Sequence, residues 1–433
     1  MYNQNIVSLK PFPCIVLFFA LSFLFSNHLF AISHSVAVLP FENEMKDASL
    51  DWLSMGIPET ITNDLLAIKG LVLVERVQLR KVMDEQKLQL TGAIDEKTAV
   101  QLGKLIGAQI LVVGAFQKQS QIVRLTARFI DVETGGVIQT AKATGKMDDI
   151  FDLQDQIVKD LAKNLNIELK QEEIAKLSVK PTESLEAYQH FGQGTLLQAQ
   201  KDYQGAVKEL QFSMKADPGF TLAKQKFMEA FLSLNKGNHW IYEDKSSTLL
   251  VFRLSSLTTY RAGEMTTCDG KPCFTYISKS EGSSNSIGNF VITTIQYFVK
   301  GEDGVYQTAM EQELKTNYSY KNKWTFNPPI LYYPYDLEVG KEWGVNGKVM
   351  IADRGEMKYV SKHNVTGKEK AMIPSLGEVE CFVIKSRTKM GGAFSGIKII
   401  KTEWFSPGIG IVKYEGHGTM NSKGILKEYH IEE

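Results

Sequence analysis

Between Ser35 and about Leu169 the apolar positions follow a strand–helix rhythm. SVAVLPF (Ser35 to Phe41) is a short β-branched run interrupted by Pro40 and predicts a buried strand. Ile57, Ile61, Leu65 and Ile68 then recur at helical spacing, with Pro58 near a first turn, where its missing N–H costs little, and Gly70 as the stop. LVLVERV predicts a second strand, QLRKVMDEQKLQL a second helix, Thr98 to Ile106 a third helix, and AQILVVGAF a third strand. Next comes strict alternation, with Val123, Leu125, Ala127 and Phe129 on one face and Arg124 and Arg128 on the other. DVETGG predicts a turn and VIQTAKATG a further strand. Ile150, Leu153, Ile157, Leu161, Leu165 and Leu169 form the stripe of a long closing helix. Residues 35–170 therefore predict an α/β domain, a mixed sheet with helices packed on it.

Residues 171–240 read as a charged helical linker followed by a helical hairpin. Ala187, Gly194, Tyr203, Ala206, Leu210 and Pro218 fall at the offsets of one tetratricopeptide repeat, with a turn at Lys201 and Asp202 and a further helix from Leu222 to Leu234. A single repeat cannot bury its face alone, so it must lean on a neighbouring domain or a partner. Tyr203 and Leu210 belong inside the hairpin. Phe212 and Phe220 have no obvious place in a lone repeat's core and are the candidate partner-contact residues. From 241 to 433 the chain is rich in β-branched and aromatic residues, with turns at KGEDG, NPP, SPGIG and NSKG, which predicts an antiparallel β-rich domain, curved or closed. Trp343 and Trp404 are expected to plug the mouth of that sheet or barrel.

Composition narrows the function. Lys plus Arg and Asp plus Glu both total 49 and no basic block stands out, so neither nucleic acid nor an acidic membrane surface is favoured as a partner. Lys10, the apolar run Ile15 to Phe25 and the small-residue end at Ala31 read as a signal peptide over residues 1–31, and the run is shorter than the roughly 20 residues of a spanning helix. An exported, extracytoplasmic chain with at most peripheral membrane association follows. In such a compartment CDGKPC reads as a disulfide loop joining Cys268 and Cys273, with Cys381 left over as a buried thiol.

Catalytic signatures are missing from the sequence. GKEWGVNGK has the wrong glycine spacing for a phosphate loop, and Ser395 in GAFSG sits one place late for a nucleophile elbow. The seven histidines are scattered without metal-ligand spacing. Asp148, Asp149, Asp152 and Asp155 stand where carboxylates complement a helix dipole. No catalytic, cofactor or metal residue is assigned, and the pattern points to recognition or assembly.

LPFEN (Leu39 to Asn43), the pair Glu75 and Arg76, VMDEQ, LGKLIGAQILVVGAF and DVETG together resemble the CsgG-type curli secretion family and are similar to the amino-terminal domain of TolB. The resemblance implies a role in envelope biogenesis or secretion. Pore-forming relatives lengthen the hairpins of this meander, and each spanning strand needs about 9 to 11 residues. Here QKQSQ (Gln117 to Gln121) and KMDD leave no room for that. The expected function is a non-catalytic envelope scaffold or assembly protein without a pore, its partners being other envelope proteins at the helical hairpin or further copies of the chain. The alternative is a carrier holding a lipid or other apolar ligand in the β-rich domain.

Overall fold

The computed structural model describes residues 34–74, 79, 82–83, 95–232, 238–248, 252–268, 270–284, 288–352, 354–391, 398–418 and 421–430. The predicted signal peptide, Glu75, Arg76 and most of the second predicted helix lie outside them.

The amino-terminal sheet runs in the order β3-β1-β4-β5-β6, with β2 also on β4. Here β1 is His34–Val38, β2 Glu42–Asn43, β3 Leu71–Leu73, β4 Ile110–Gln119, β5 Ile122–Asp131 and β6 Val137–Lys146. β1 pairs parallel with β3 and β4, and β4, β5 and β6 pair antiparallel. Alternation along β4 sends Val112 and Phe116 to one face and Leu111 and Val113 to the other. The first face is covered by α1 (Leu53–Leu66) and α3 (Ile150–Asn164), the second by α2 (Glu96–Ile106).

Two boundaries differ from the sequence reading. α1 begins five residues before Pro58, so the proline lies inside the helix. The carbonyl of Ser54, which the proline cannot serve, accepts instead from the Phe41 N–H at 3.0 Å. The closing helix stops at Asn164 rather than continuing to Leu169, because Asn166 adopts φ 54°, a left-handed conformation that asparagine tolerates.

Four helices follow: α4 (Gln171–Leu177), α5 (Leu185–Ala199), α6 (Tyr203–Ala216) and α7 (Thr221–Phe231). α5 and α6 are antiparallel. The Ser213 hydroxyl donates to the Ala187 carbonyl at 2.7 Å, and at the other end Gly194 packs against Leu210 and Ala206. α5 also lies on α1 so closely that a Cβ on Gly192 would stand 2.6 Å from the Trp52 carbonyl oxygen.

The remaining strands are β7 (His239–Thr248), β8 (Phe252–Cys268), β9 (Lys271–Ser284), β10 (Gly288–Lys300), β11 (Gly304–Lys315), β12 (Ser319–Pro334), β13 (Glu342–Ile351), β14 (Gly355–Ile373), β15 (Gly377–Met390), β16 (Lys398–Ser406), β17 (Gly410–Gly418) and β18 (Asn421–His430). Each pairs with its sequence neighbours, and β18 returns to β7, closing a 12-stranded antiparallel barrel. β12 and β13 meet briefly, over Trp324–Asn327 and Lys348–Ile351. Pro328 and Pro329 follow at once and have no N–H to continue the ladder.

The helices hold the sheet and the barrel together. Phe231 at the end of α7 packs on Tyr335 and Phe405, with ring centroids 5.2 and 5.6 Å apart, and its carbonyl accepts from Gly408 at 2.8 Å. At the other side of α7, Lys226 pairs with Glu59 of α1 at 3.2 Å, both side chains only 10% exposed. One apolar cluster thus runs from the sheet through Tyr188, Phe191, Phe220 and Phe227 to Phe298, Tyr333 and Phe405 of the barrel.

Candidate functional site

Period-two alternation sends every second barrel side chain inward. Inward residues include Tyr242 and Asp244 on β7, Tyr260 on β8, Tyr276 on β9, Gln296 and Phe298 on β10, and Lys401, Glu403 and Phe405 on β16. They surround a cavity of about 340 Å³ at the helical end of the lumen. Its floor is made by Leu232, Trp240, Phe298, Tyr333 and Phe405. Tyr333 lies flat on Phe405, with centroids 4.0 Å apart and planes 25° apart, and the Trp240 indole N–H donates to the Ile409 carbonyl at 2.7 Å. Above the floor, the Tyr260 and Tyr276 rings stack at 5.2 Å beside Tyr332, Gln296 and Lys401.

Electrostatically the cavity is balanced. Lys401 pairs with Glu403 at 2.6 Å; burial opposes its charge, but the neighbouring carboxylate outweighs that and raises its pKa. Asp244 accepts from the Tyr414 hydroxyl at 2.6 Å, and its pKa is raised by burial, against the opposing effect of its hydroxyl partners. Burial likewise lifts Tyr242, Tyr260, Tyr276 and Tyr332, so all four phenols stay protonated. The Tyr333 hydroxyl is buried in protein without a hydrogen-bond partner. Farther along, the lumen is lined by short polar side chains: Thr258 with Ser280 at 2.7 Å, Gln312 donating to Thr294 at 3.2 Å, and Ser361 with Thr388 at 2.9 Å.

A larger concavity of about 710 Å³ lies along β13 to β16 and includes Glu342, Lys362, Arg387, Trp343 and His363. It is open, and its lining mixes outward-facing Glu342, Lys362 and Arg387 with Ser361, His363 and Ser386 of the luminal face. The enclosed lumen, with its buried unpartnered hydroxyl, is the better binding site.

The sequence-predicted residues are scattered. Cys268 and Cys273 are bonded, S–S 2.13 Å, across the turn from β8 to β9, and Cys381 is buried and free. Phe212 is on the surface, 41% exposed, with the Lys208 ammonium 5.9 Å from its ring centre. Phe220 differs from the expectation. It caps the start of α7, is buried, and packs on Phe191 at 5.0 Å within the helical unit, so the two phenylalanines form no common surface. Neither tryptophan plugs the barrel. Trp404 sits on the outer wall, donating to Glu369 at 2.6 Å beneath the Lys413 ammonium, and Trp343 stacks on His363 beside the gap between β12 and β13. The helical end is filled by Phe231 and the rings it touches. Among the described residues, no group of three or more His, Cys, Asp or Glu could hold a metal ion. The lumen tyrosines and Lys401 were not singled out from sequence. Their signal is the alternation of aromatic or hydroxyl residues with Lys and Glu in segments such as IIKTEWF.

Residues 26–117 match the family described as curli production assembly/transport component CsgG. The amino-terminal domain is CsgG-like. Residues 284–429, within the barrel, match the family described as DUF3108-like. A Rhizobium meliloti (strain 1021) protein named "Putative adenylate cyclase 3" is 26% identical over 135 residues, which is 31% of this chain and 21% of that protein. The chain thus spans about a fifth of the length of that curated relative. Among solved structures, the LpoB C-terminal domain from Salmonella enterica aligns with 18% identity and a TM-score of 0.23, covering 29% of this chain and 92% of that one. A crystal structure titled "putative lipoprotein from Parabacteroides distasonis ATCC 8503" aligns with 15% identity and a TM-score of 0.27, covering 46% of this chain and 96% of that one.

Proposed function

We propose that this chain is a non-catalytic scaffold or assembly protein of the bacterial cell envelope, exported and then retained outside the cytoplasm. The observation that carries the reading is a CsgG-like sheet whose β4–β5 hairpin ends in a two-residue turn at Ser120 and Gln121, packed through helices onto a closed barrel. The apolar side chains of those strands are packed in the domain's own cores, and the two-residue turn that projects beyond the sheet cannot reach across a bilayer. The barrel is not read as a membrane pore either. A lipid-facing wall needs an apolar band, whereas ion pairs such as Lys323–Glu311 and Lys348–Glu356, both 2.8 Å, run over the outer face. No helix among the described residues is long and apolar enough to cross a membrane.

We read α5 and α6 as one tetratricopeptide-type hairpin serving mainly as an internal adaptor, since α1 and the barrel occupy much of its surface. Partner contact then falls to the exposed side carrying Phe212, His190 and Lys208. Crosslinking of the tagged chain in its native envelope should capture discrete protein partners, and Phe212→Ser should reduce that capture severalfold. Equal capture by the variant would remove this surface from the account.

A second reading is favoured by the lumen: the barrel carries a small ligand in the cavity above Phe405.

A further inference from the structure

Building on the carrier reading of the barrel, we infer that the lumen binds a neutral saccharide rather than a lipid chain or a charged metabolite. Three observations converge. First, the cavity presents aromatic faces, with Tyr260 and Tyr276 stacked over a floor of Phe405 and Tyr333. The negative π face of such a ring attracts the weakly positive C–H groups on one side of a sugar ring. Second, the lining also carries hydrogen-bonding side chains, Ser278, Gln296 and Ser422, set among the phenols. An acyl chain would bury those groups unpaired, at a cost for each, whereas hydroxyls and acetamido groups satisfy them.

Third, the charges are internally spent. Lys401 is held by Glu403 and, among the described residues, no carboxylate lines the cavity, so an anionic or cationic ligand would enter without a free counter-charge. Tyr333 lines the cavity, and its hydroxyl, buried against protein, has no hydrogen-bond partner. A cavity of about 340 Å³ lies at the small end of the range for ligand pockets and suits one or two sugar rings.

The test uses the full mature chain and saturation-transfer NMR with three sets of probes: neutral mono- and disaccharides including N,N′-diacetylchitobiose, glucuronic acid, and oleate. Neutral saccharides should show transfer to their ring protons. Tyr333→Phe, which keeps the ring on Phe405, should weaken binding about three- to tenfold, and Tyr276→Ala should weaken it further. Far-ultraviolet circular dichroism and melting curves confirm that each variant is folded. Binding of oleate or glucuronic acid but of no neutral saccharide would overturn the ligand class while leaving the carrier reading intact. Binding of no probe, with nothing retained in native mass spectra, would overturn both. Saccharide binding undiminished in Tyr333→Phe and Tyr276→Ala would move the site out of the lumen and overturn the inference.

Discussion

Asp64 on α1 shows how one side chain's surroundings set a property of the whole protein. Burial first, and then the charge of Asp155 on α3, raise its pKa from 3.8 to about 7, with Asn63 and Lys159 pulling weakly the other way. Between about pH 4 and pH 7 the unfolded chain releases a proton that the folded chain keeps, so this residue's contribution to stability falls as pH rises through that window. Asp64→Asn should therefore melt above the wild type at pH 8 and together with it at pH 4. A shift of the same size at both pH values would mean that the carboxyl titrates normally. Nothing in the local sequence announces this. Asn63 and Asp64 look like an ordinary solvated face of a helix until α3, about 90 residues later, is laid against it.

Among the elements, those with a clear period were legible and those defined by pairing were not. β4 announces itself as a continuous apolar run buried on both faces, β5 through alternation, and α5 and α6 through helical spacing. In the barrel both faces carry polar residues, so lumen residues such as Tyr276 and Lys401 do not stand out from Lys279 or Lys413 on the outer wall. Which side is inside depends on register across twelve strands. One short joint, between β12 and β13, does follow from sequence, because Pro328 and Pro329 stop the ladder. The Trp343 indole bridges the gap by donating to the Leu331 carbonyl at 3.1 Å. Trp343→Phe should cost about 1 kcal/mol and speed amide exchange in β13 before any other barrel strand. Exchange that rises evenly around the barrel would show that the gap is no weaker than the rest of the wall.

At the scale of the whole molecule, sequence reading separates three domains, whereas the structure joins them through α7. Phe231→Ala removes a ring packed on both Tyr335 and Phe405 and should cost about 3–5 kcal/mol. The expected result is two calorimetric transitions in place of one, with protease cleavage appearing between α7 and β7. A single transition at lower temperature would show that other contacts, such as Gln204 donating to Ser406 at 2.5 Å, suffice to keep the parts together.

The return of β18 to β7 also sets an order of events. Every other barrel pairing joins strands adjacent in sequence, and each can zip as soon as its hairpin emerges. The last pairing brings Asn421–His430 to strands about 180 residues earlier, and until it forms β7 keeps a free edge able to recruit a strand from another chain. A chain threaded out of the cytoplasm amino end first would thus spend its most aggregation-prone interval with the CsgG-like domain already emerged and the sheet still open. The final strand is the one that makes the protein safe to accumulate.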